Sequence, residues 1–351
     1  MPRPPFRSVP TRALVAVVLV AALIAAAAML TVVVPRNRTQ GGDRDAAAPA
    51  TPDAVDAQRL DRPVRRYVAL GDSFTAGPLI PFVDAAQTRC LRSSANYPTV
   101  LGRWLDARRI VDMSCAGATT SDLRWQGSAL TAGTDLVTVG MGGNDFDIFG
   151  TLSGRCVGLA AGDPRGSPCR DRFVNSTGTD TLLARANRVE QRLAAGLRGV
   201  AGAAGPDALV AVIGYPRIFP STGTCPALPL ARGDYGWADS VQRALNDALE
   251  RAAARVGALF VDTYRASRGH GVCAGADAWV NGRTTVATRA LAFHPYAAGM
   301  RATAAAAHAR LTGEPVSPGM QLRAARRADV RPAGTLTLRA QRIIAALFTG
   351  A

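Results

Sequence analysis

Four short blocks carry residues whose types fit acyl transfer. Ser73 stands in Gly71-Asp72-Ser73, Gly117 in Cys115-Ala116-Gly117-Ala118-Thr119, Asn144 in Gly142-Gly143-Asn144-Asp145, and His294 in Phe293-His294-Pro295. They supply a hydroxyl nucleophile, a glycine N–H that a ligand can approach closely, a side-chain amide donor and an imidazole base. Attack on a carbonyl needs all of these: a base to take the hydroxyl proton and donors to hold the oxyanion. Taken alone, Gly-Asp-Ser also describes a strand end followed by a helix N-cap serine. The four blocks together favour the chemistry.

The elements around the blocks support this. Candidate strands run over Arg66–Leu70, Ile110–Met113, Leu136–Gly140, Leu209–Gly214 and Leu259–Val261. The first three lead into the serine, glycine and asparagine blocks. Helical patterns cover Tyr97–Ala107, Leu182–Ala204, Trp237–Val256 and Ala297–Leu311. Strands alternating with helices indicate a doubly wound parallel sheet with right-handed crossovers. In such a sheet ligands bind beyond the carboxyl ends of the strands, where Ser73 falls. Two long connections, Phe146 to Gly178 and Pro216 to Gly236, read as walls of a substrate cleft. Phe146, Ile148, Phe149, Ile218 and Phe219 are candidates for its apolar lining.

At these blocks the chain resembles the SGNH (GDSL) hydrolase superfamily, over roughly Arg65 to Leu311. The resemblance implies a flavodoxin-like three-layer α/β/α sandwich, with a five-stranded parallel sheet in the order 2-1-3-4-5. It assigns Ser73 as nucleophile and His294 as base, with Ser73, Gly117 and Asn144 forming the oxyanion hole. The six cysteines and the ending Phe293-His294-Pro295 with Gly299 look like the secreted actinobacterial lipase and esterase branch.

One position departs from that family. An aspartate is usual three residues before the histidine, but Leu291 stands there, and no acid lies between Arg283 and Arg301. Something must still orient the imidazole. The Leu291 carbonyl is the expected partner, as in the Ser-His dyads of this branch; carboxylates of Asp262 or Asp277 are the alternative. Asp72 and Asp145 are expected to brace their own turns. Of the other histidines, His270 is expected to be structural and His308 to do no more than sit in its helix. Pro295 suits the first turn of the closing helix and puts His294 at its entrance.

Cys90, Cys115, Cys156, Cys169, Cys225 and Cys273 form an even set, which behind an export signal indicates three disulfides among 15 connectivities. The resembling branch implies the pairs Cys90–Cys115, Cys156–Cys169 and Cys225–Cys273. No CxxC pair or zinc spacing occurs, and neither a P-loop nor GxGxxG spacing is present. No metal or cofactor is expected.

The N-terminus carries that export signal. Arg3, Arg7 and Arg12, in a basic region over 1–12, precede an uncharged apolar run over 13–34. The run is long enough to span a bilayer, so an uncleaved signal anchor is favoured over a cleaved signal peptide, with the following chain facing outward. Residues 35–64 read as a disordered linker, 65–312 as the hydrolase domain and 313–351 as a basic tail. Within the tail, Leu336 to Phe348 suits a helix docked on the domain, or disorder, better than a helix lying on a membrane.

The net charge of +15 arises entirely from arginine, with no lysine. Nucleic-acid binding is disfavoured, because no groove-reading helix pair, finger or aromatic RNA-binding pattern accompanies the charge. The expected protein is a monomeric extracytoplasmic ester hydrolase, at the cell surface or secreted, with acyl lipids as its substrates. A carbohydrate acetylesterase, a phospholipase, a thioesterase or a non-catalytic envelope-binding module are the alternatives.

Overall fold

The computed structural model describes residues 58–322 and 334–346. The apolar run over 13–34 lies outside them, as does most of the expected linker. Among the described residues, no helix is long and apolar enough to cross a membrane.

Five parallel strands form one sheet in the order β2-β1-β3-β4-β5. They are β1 (Arg66–Gly71), β2 (Arg109–Asp112), β3 (Leu136–Gly140), β4 (Leu209–Ile213) and β5 (Leu259–Val261). The order reverses between β1 and β3, whose register sets Gly71 beside Gly140. This switch point is where an open α/β sheet offers a ligand crevice.

Alternation along each strand divides the core into two layers. Val68, Leu70, Val137, Val139, Val210 and Val212 face one layer. Tyr67, Ala69, Leu136, Ala211 and Ile213 face the other. Helices α1 (Tyr97–Trp104) and α4 (Ala297–Thr312) cover the second layer, while α2 (Thr181–Ala204) and α3 (Tyr235–Ala254) cover the first. Their ends follow local chemistry. Asn96 caps α1 by accepting from the Thr99 N–H at 3.1 Å. Asp180 caps α2 by accepting from the Leu182 and Leu183 N–H groups at 3.0 and 2.9 Å. Each cap satisfies donors that a helix start leaves open.

Several expected boundaries change. The linker ends before residue 64: the Leu60 N–H donates to the Leu311 carbonyl at 2.8 Å and Val64 is buried. Apolar side chains hidden in a short polar stretch pull it onto the domain. The long connection from Phe146 to Gly178 carries regular structure of its own. It holds short helices at Cys156–Ala160 and Pro168–Phe173, tied by a disulfide. The buried Asp234 carboxylate accepts from the Cys169 and Arg170 N–H groups at 3.1 and 2.9 Å. In the tail, α5 (Leu338–Ala346) docks on the domain. Its buried Gln341 amide donates to the Leu79 and Ala287 carbonyls, each at 2.8 Å.

Candidate active site

Ser73 opens a single helical turn immediately beyond β1. Asp72 caps that turn, its carboxylate accepting from the Phe74 N–H at 2.8 Å. Gly77 ends it in the left-handed region at φ 70°, which glycine adopts without a Cβ clash. Gly71 is required by space instead: a Cβ there would meet the Thr75 hydroxyl oxygen at 2.1 Å. The turn is thus set by its neighbours, and Ser73 sits at its tip, nearly buried.

Gly117 has φ +83°, and a Cβ built on it meets nothing within 4 Å. The glycine therefore answers to backbone conformation, and the space beside it is open to a ligand. Its loop is pinned upstream by the Cys90–Cys115 disulfide and by the Ala116 N–H donating to the Cys90 carbonyl at 3.1 Å. Asn144 donates one amide hydrogen to the Ala118 carbonyl at 2.9 Å, leaving its second for a ligand. Asp145, expected to brace its own turn, instead ties the asparagine loop to the neighbouring one: its carboxylate accepts from the Thr120 N–H at 2.9 Å and the Thr120 hydroxyl at 2.6 Å.

His294 differs from expectation in its partner. Its Nδ1 lies 2.7 Å from the Ala292 carbonyl, not the Leu291 carbonyl. The reason is local. Phe293 takes a left-handed conformation at φ 59°, which folds the chain back so that the carbonyl two residues earlier meets the ring. The Leu291 carbonyl is occupied by the His294 backbone N–H at 3.2 Å and the Asn281 side-chain amide at 3.1 Å. Neither alternative carboxylate serves the ring. Asp262 caps its own turn at Arg265, and Asp277 offers its backbone carbonyl to His270. With Nδ1–H donated to Ala292, Nε2 is the free acceptor that a base requires. Burial pushes the imidazole pKa down to about 4, opposed by the Ala292 hydrogen bond. The ring is therefore neutral at physiological pH.

Ser73, Asn144 and His294 line one cleft of about 180 Å³, walled by Phe74, Phe149, Ile218, Phe219 and Phe293. Of the expected lining residues, Phe149, Ile218 and Phe219 are there. Phe146 instead lies under the guanidinium groups of Arg188 and Arg192, and Ile148 is in the core. A larger and more open groove of about 740 Å³ runs along α2, but no histidine lines it.

The three disulfides pair as the resemblance implied, and no free cysteine is left. Residues 69–302 match the GDSL-like Lipase/Acylhydrolase family. The chain belongs to this family. Membership makes it a carboxylic ester hydrolase of the SGNH type. Among similar GDSL-like proteins, Lipase 2 of Streptomyces coelicolor is 40% identical over 237 residues, 64% of this chain and 77% of that one. A lipase of Streptomyces rimosus is 30% identical over 254 residues, covering 70% and 85%. In three dimensions, phospholipase A1 from Streptomyces albidoflavus superposes with a TM-score of 0.55 at 28% identity, over 68% of this chain and 96% of that one. An extracellular lipase from Streptomyces rimosus gives 0.56 at 29% identity, over 68% and 95%.

Three site residues were not legible in the sequence. Gln126 completes β1 with its side chain, accepting from the Gly71 N–H at 2.7 Å and donating to the Gly71 carbonyl at 2.9 Å. Tyr215 donates to the Asp72 carboxylate and accepts from the Gly143 N–H. Asn281 gathers the carbonyls of Thr284, Ala290 and Leu291. Of these, only Tyr215 carried a signal: it lies two residues beyond the end of β4, where ligand sites form.

Proposed function

We propose that this protein hydrolyses acyl-lipid esters outside the cytoplasm, through a Ser73–His294 dyad and an acyl-enzyme. The observation that carries the reading is the single cleft in which Ser73, Asn144 and His294 meet an aromatic wall. An apolar wall beside a nucleophile suits a hydrocarbon acyl chain, whose transfer from water is favourable. The disulfides and the basic-then-apolar N-terminal sequence support an oxidising location outside the cytoplasm.

In the reaction, His294 Nε2 takes the Ser73 proton as Oγ bonds to the ester carbonyl carbon. The carbonyl π electrons move to oxygen, which accepts from the Ser73 and Gly117 N–H groups and the Asn144 amide. The oxyanion then collapses, the ester C–O bond breaks, and His294 gives its proton to the leaving alkoxide. Water repeats the sequence to release the acid and restore Ser73. The Ala292 carbonyl supplies orientation without charge, so the imidazolium formed in transit gains less than a carboxylate would give it.

The test is hydrolysis of a p-nitrophenyl ester chain-length series and of a phospholipid, beside Ser73→Ala and His294→Ala. Parent activity that both substitutions abolish, highest on medium or longer chains, is expected. Activity surviving in Ser73→Ala would overturn the mechanism, and turnover of acetyl esters alone would overturn the lipid reading.

A further inference from the structure

The buried carboxylate beside the nucleophile does more than cap its turn. Asp72 is 1% exposed, and its two oxygens serve two different blocks. Oδ1 accepts from the Phe74 N–H at 2.8 Å, inside the serine turn. Oδ2 accepts from the Tyr215 hydroxyl, and that hydroxyl accepts in turn from the Gly143 N–H at 2.7 Å. A tyrosine hydroxyl has one proton and can accept at the same time, so the chain Gly143 N–H to Tyr215 to Asp72 has one sense only. It joins the ends of β1, β3 and β4. Gly143 precedes Asn144, and a Cβ on Gly143 would strike the Phe149 ring at 2.3 Å. Phe149 in turn packs edge-on against Tyr215 with ring centroids 4.7 Å apart. Gly143, the residue before Asn144, is therefore held by Phe149 against its Cα and by the Tyr215 hydroxyl on its N–H.

We propose that Tyr215 is a positioning residue for catalysis, its hydroxyl coupling the Asp72 carboxylate to the Gly143 peptide and so fixing the Asn144 oxyanion donor relative to Ser73. The proposal rests on the serine-hydrolase reading above. Preorganised donors work because they need not reorient as charge develops. One buried carboxylate that fixes both the nucleophile turn and the amide turn makes that register a single degree of freedom. The group is also sensitive to its charge. Burial raises the Asp72 pKa to about 7, Asp145 adds to the rise, and the Tyr215 and Phe74 hydrogen bonds oppose it. The groups facing it are Tyr215 and Tyr97, together with Asp145, which is itself paired to Arg192. A carboxylate anion is a stronger acceptor for the Tyr215 hydroxyl than a neutral carboxyl, so the chain is strongest when Asp72 is ionised.

The experiment is kcat and KM on one soluble p-nitrophenyl ester from pH 5 to 9, for the full chain, Tyr215→Phe, Asp72→Asn and the double variant, with Ser73→Ala as control. Tyr215→Phe removes one oxygen and keeps the ring. It is expected to lower kcat roughly 10- to 100-fold with KM unchanged, the signature of an interaction realised in the transition state. A partial rise in parent kcat near pH 7 is expected to move to higher pH in Tyr215→Phe, because the anion has lost a donor. The double variant is expected to be no slower than the slower single one, as for members of one network. Tyr215→Phe with the parent's kcat and pH profile overturns the proposal, as do fully additive losses. Should Tyr215→Phe fail to fold, the kcat and profile of Asp72→Asn decide the matter from the other end of the chain. A parent no faster than Ser73→Ala would instead defeat the serine-hydrolase reading, an outcome seen before any Tyr215 variant is compared.

Discussion

The two halves of the proposed catalytic machinery are built by different means. Ser73, Gly117 and Asn144 stand beyond the ends of adjacent parallel strands, and the side chains that align them are fully buried: Asp72, Gln126 and Tyr215. His294 stands in a stretch with no sheet strand, between β5 and α4. There one carboxamide does what a sheet does elsewhere. Asn281 donates to three carbonyls, its own N–H donates to the His294 carbonyl at 2.9 Å, and its oxygen accepts from the Tyr296 hydroxyl at 2.7 Å. The Leu291 N–H reaches across to the Pro78 carbonyl at 3.2 Å, and the Cys225–Cys273 bridge closes the region from outside. Sheet hydrogen bonds are redundant and cooperative, so the serine side tolerates the loss of any one. The histidine side concentrates its order in a few bonds, and it should be the more fragile.

The largest effect expected from this contrast is on folding. Removing the Cys225–Cys273 bridge, with a sequence separation of 48, should cost about 4 kcal/mol by loss of chain closure in the unfolded state. Urea denaturation of the double serine variant measures it; a loss near that of the Cys156–Cys169 bridge, at a separation of 13 and about 3 kcal/mol, would fit the same entropic account. A loss under about 1 kcal/mol would mean that the histidine side does not lean on its staple.

Next comes the chemistry on the strand side. Asn144→Ala should lower kcat about 10²–10³-fold, with the melting temperature little changed, because one oxyanion donor is lost and the sheet is untouched. Steady-state kinetics and a thermal melt read the two quantities. A drop in stability as large as the drop in rate would erase the distinction between the halves.

Asn281→Ala should show the opposite pattern. Three carbonyls lose a buried donor, costing about 2 kcal/mol, and kcat should fall together with thermal stability as the His294 loop loosens. An unchanged melting temperature would count against the role given to this amide.

The last effect is electrostatic, small in the parent because its two parts have opposite signs in the two halves. His294 folds with its pKa lowered from 6.5 to about 4. Between those values the unfolded chain binds the extra proton, so stability from this group is full above pH 6.5 and is lost as pH falls toward 4. Asp72 folds with its pKa raised from 3.8 to about 7. There the native state holds the extra proton, so stability from this group is full below 3.8 and is lost as pH rises toward 7. The two slopes offset. Asp72→Asn removes one of them, and its stability should climb from pH 4 to 6.5 more steeply than the parent's, as followed by denaturation midpoints across that range. Equal slopes in the two proteins would remove Asp72 as a native-state proton acceptor.

How much of this was legible follows from range. The strand ends and their small-residue turns are local signals, so all five strands were found to within a residue or so, and Ser73, Gly117 and Asn144 do lie in the turns beyond β1, β2 and β3. His294 stands out by its neighbours Phe293 and Pro295, and it does line the cleft that holds Ser73. Its partner was misplaced by one carbonyl, because the left-handed turn at Phe293 is a conformation that sequence rarely announces for a bulky residue. Phe146 was expected in the cleft, yet two arginines of α2, more than 40 residues along the chain, hold its ring elsewhere.

By itself, then, the sequence determined the candidates proposed as reacting groups and the alternation that makes a parallel sheet, since both depend on residue type and short spacing. Only the tertiary structure decided which buried polar groups answer one another: Asp72 with Tyr215, Gln126 with Gly71, Asn281 with the carbonyls before His294. A buried polar atom must find its partner wherever the packed chain brings one. That partner is 143 residues away for Asp72, a distance over which no local pattern carries information.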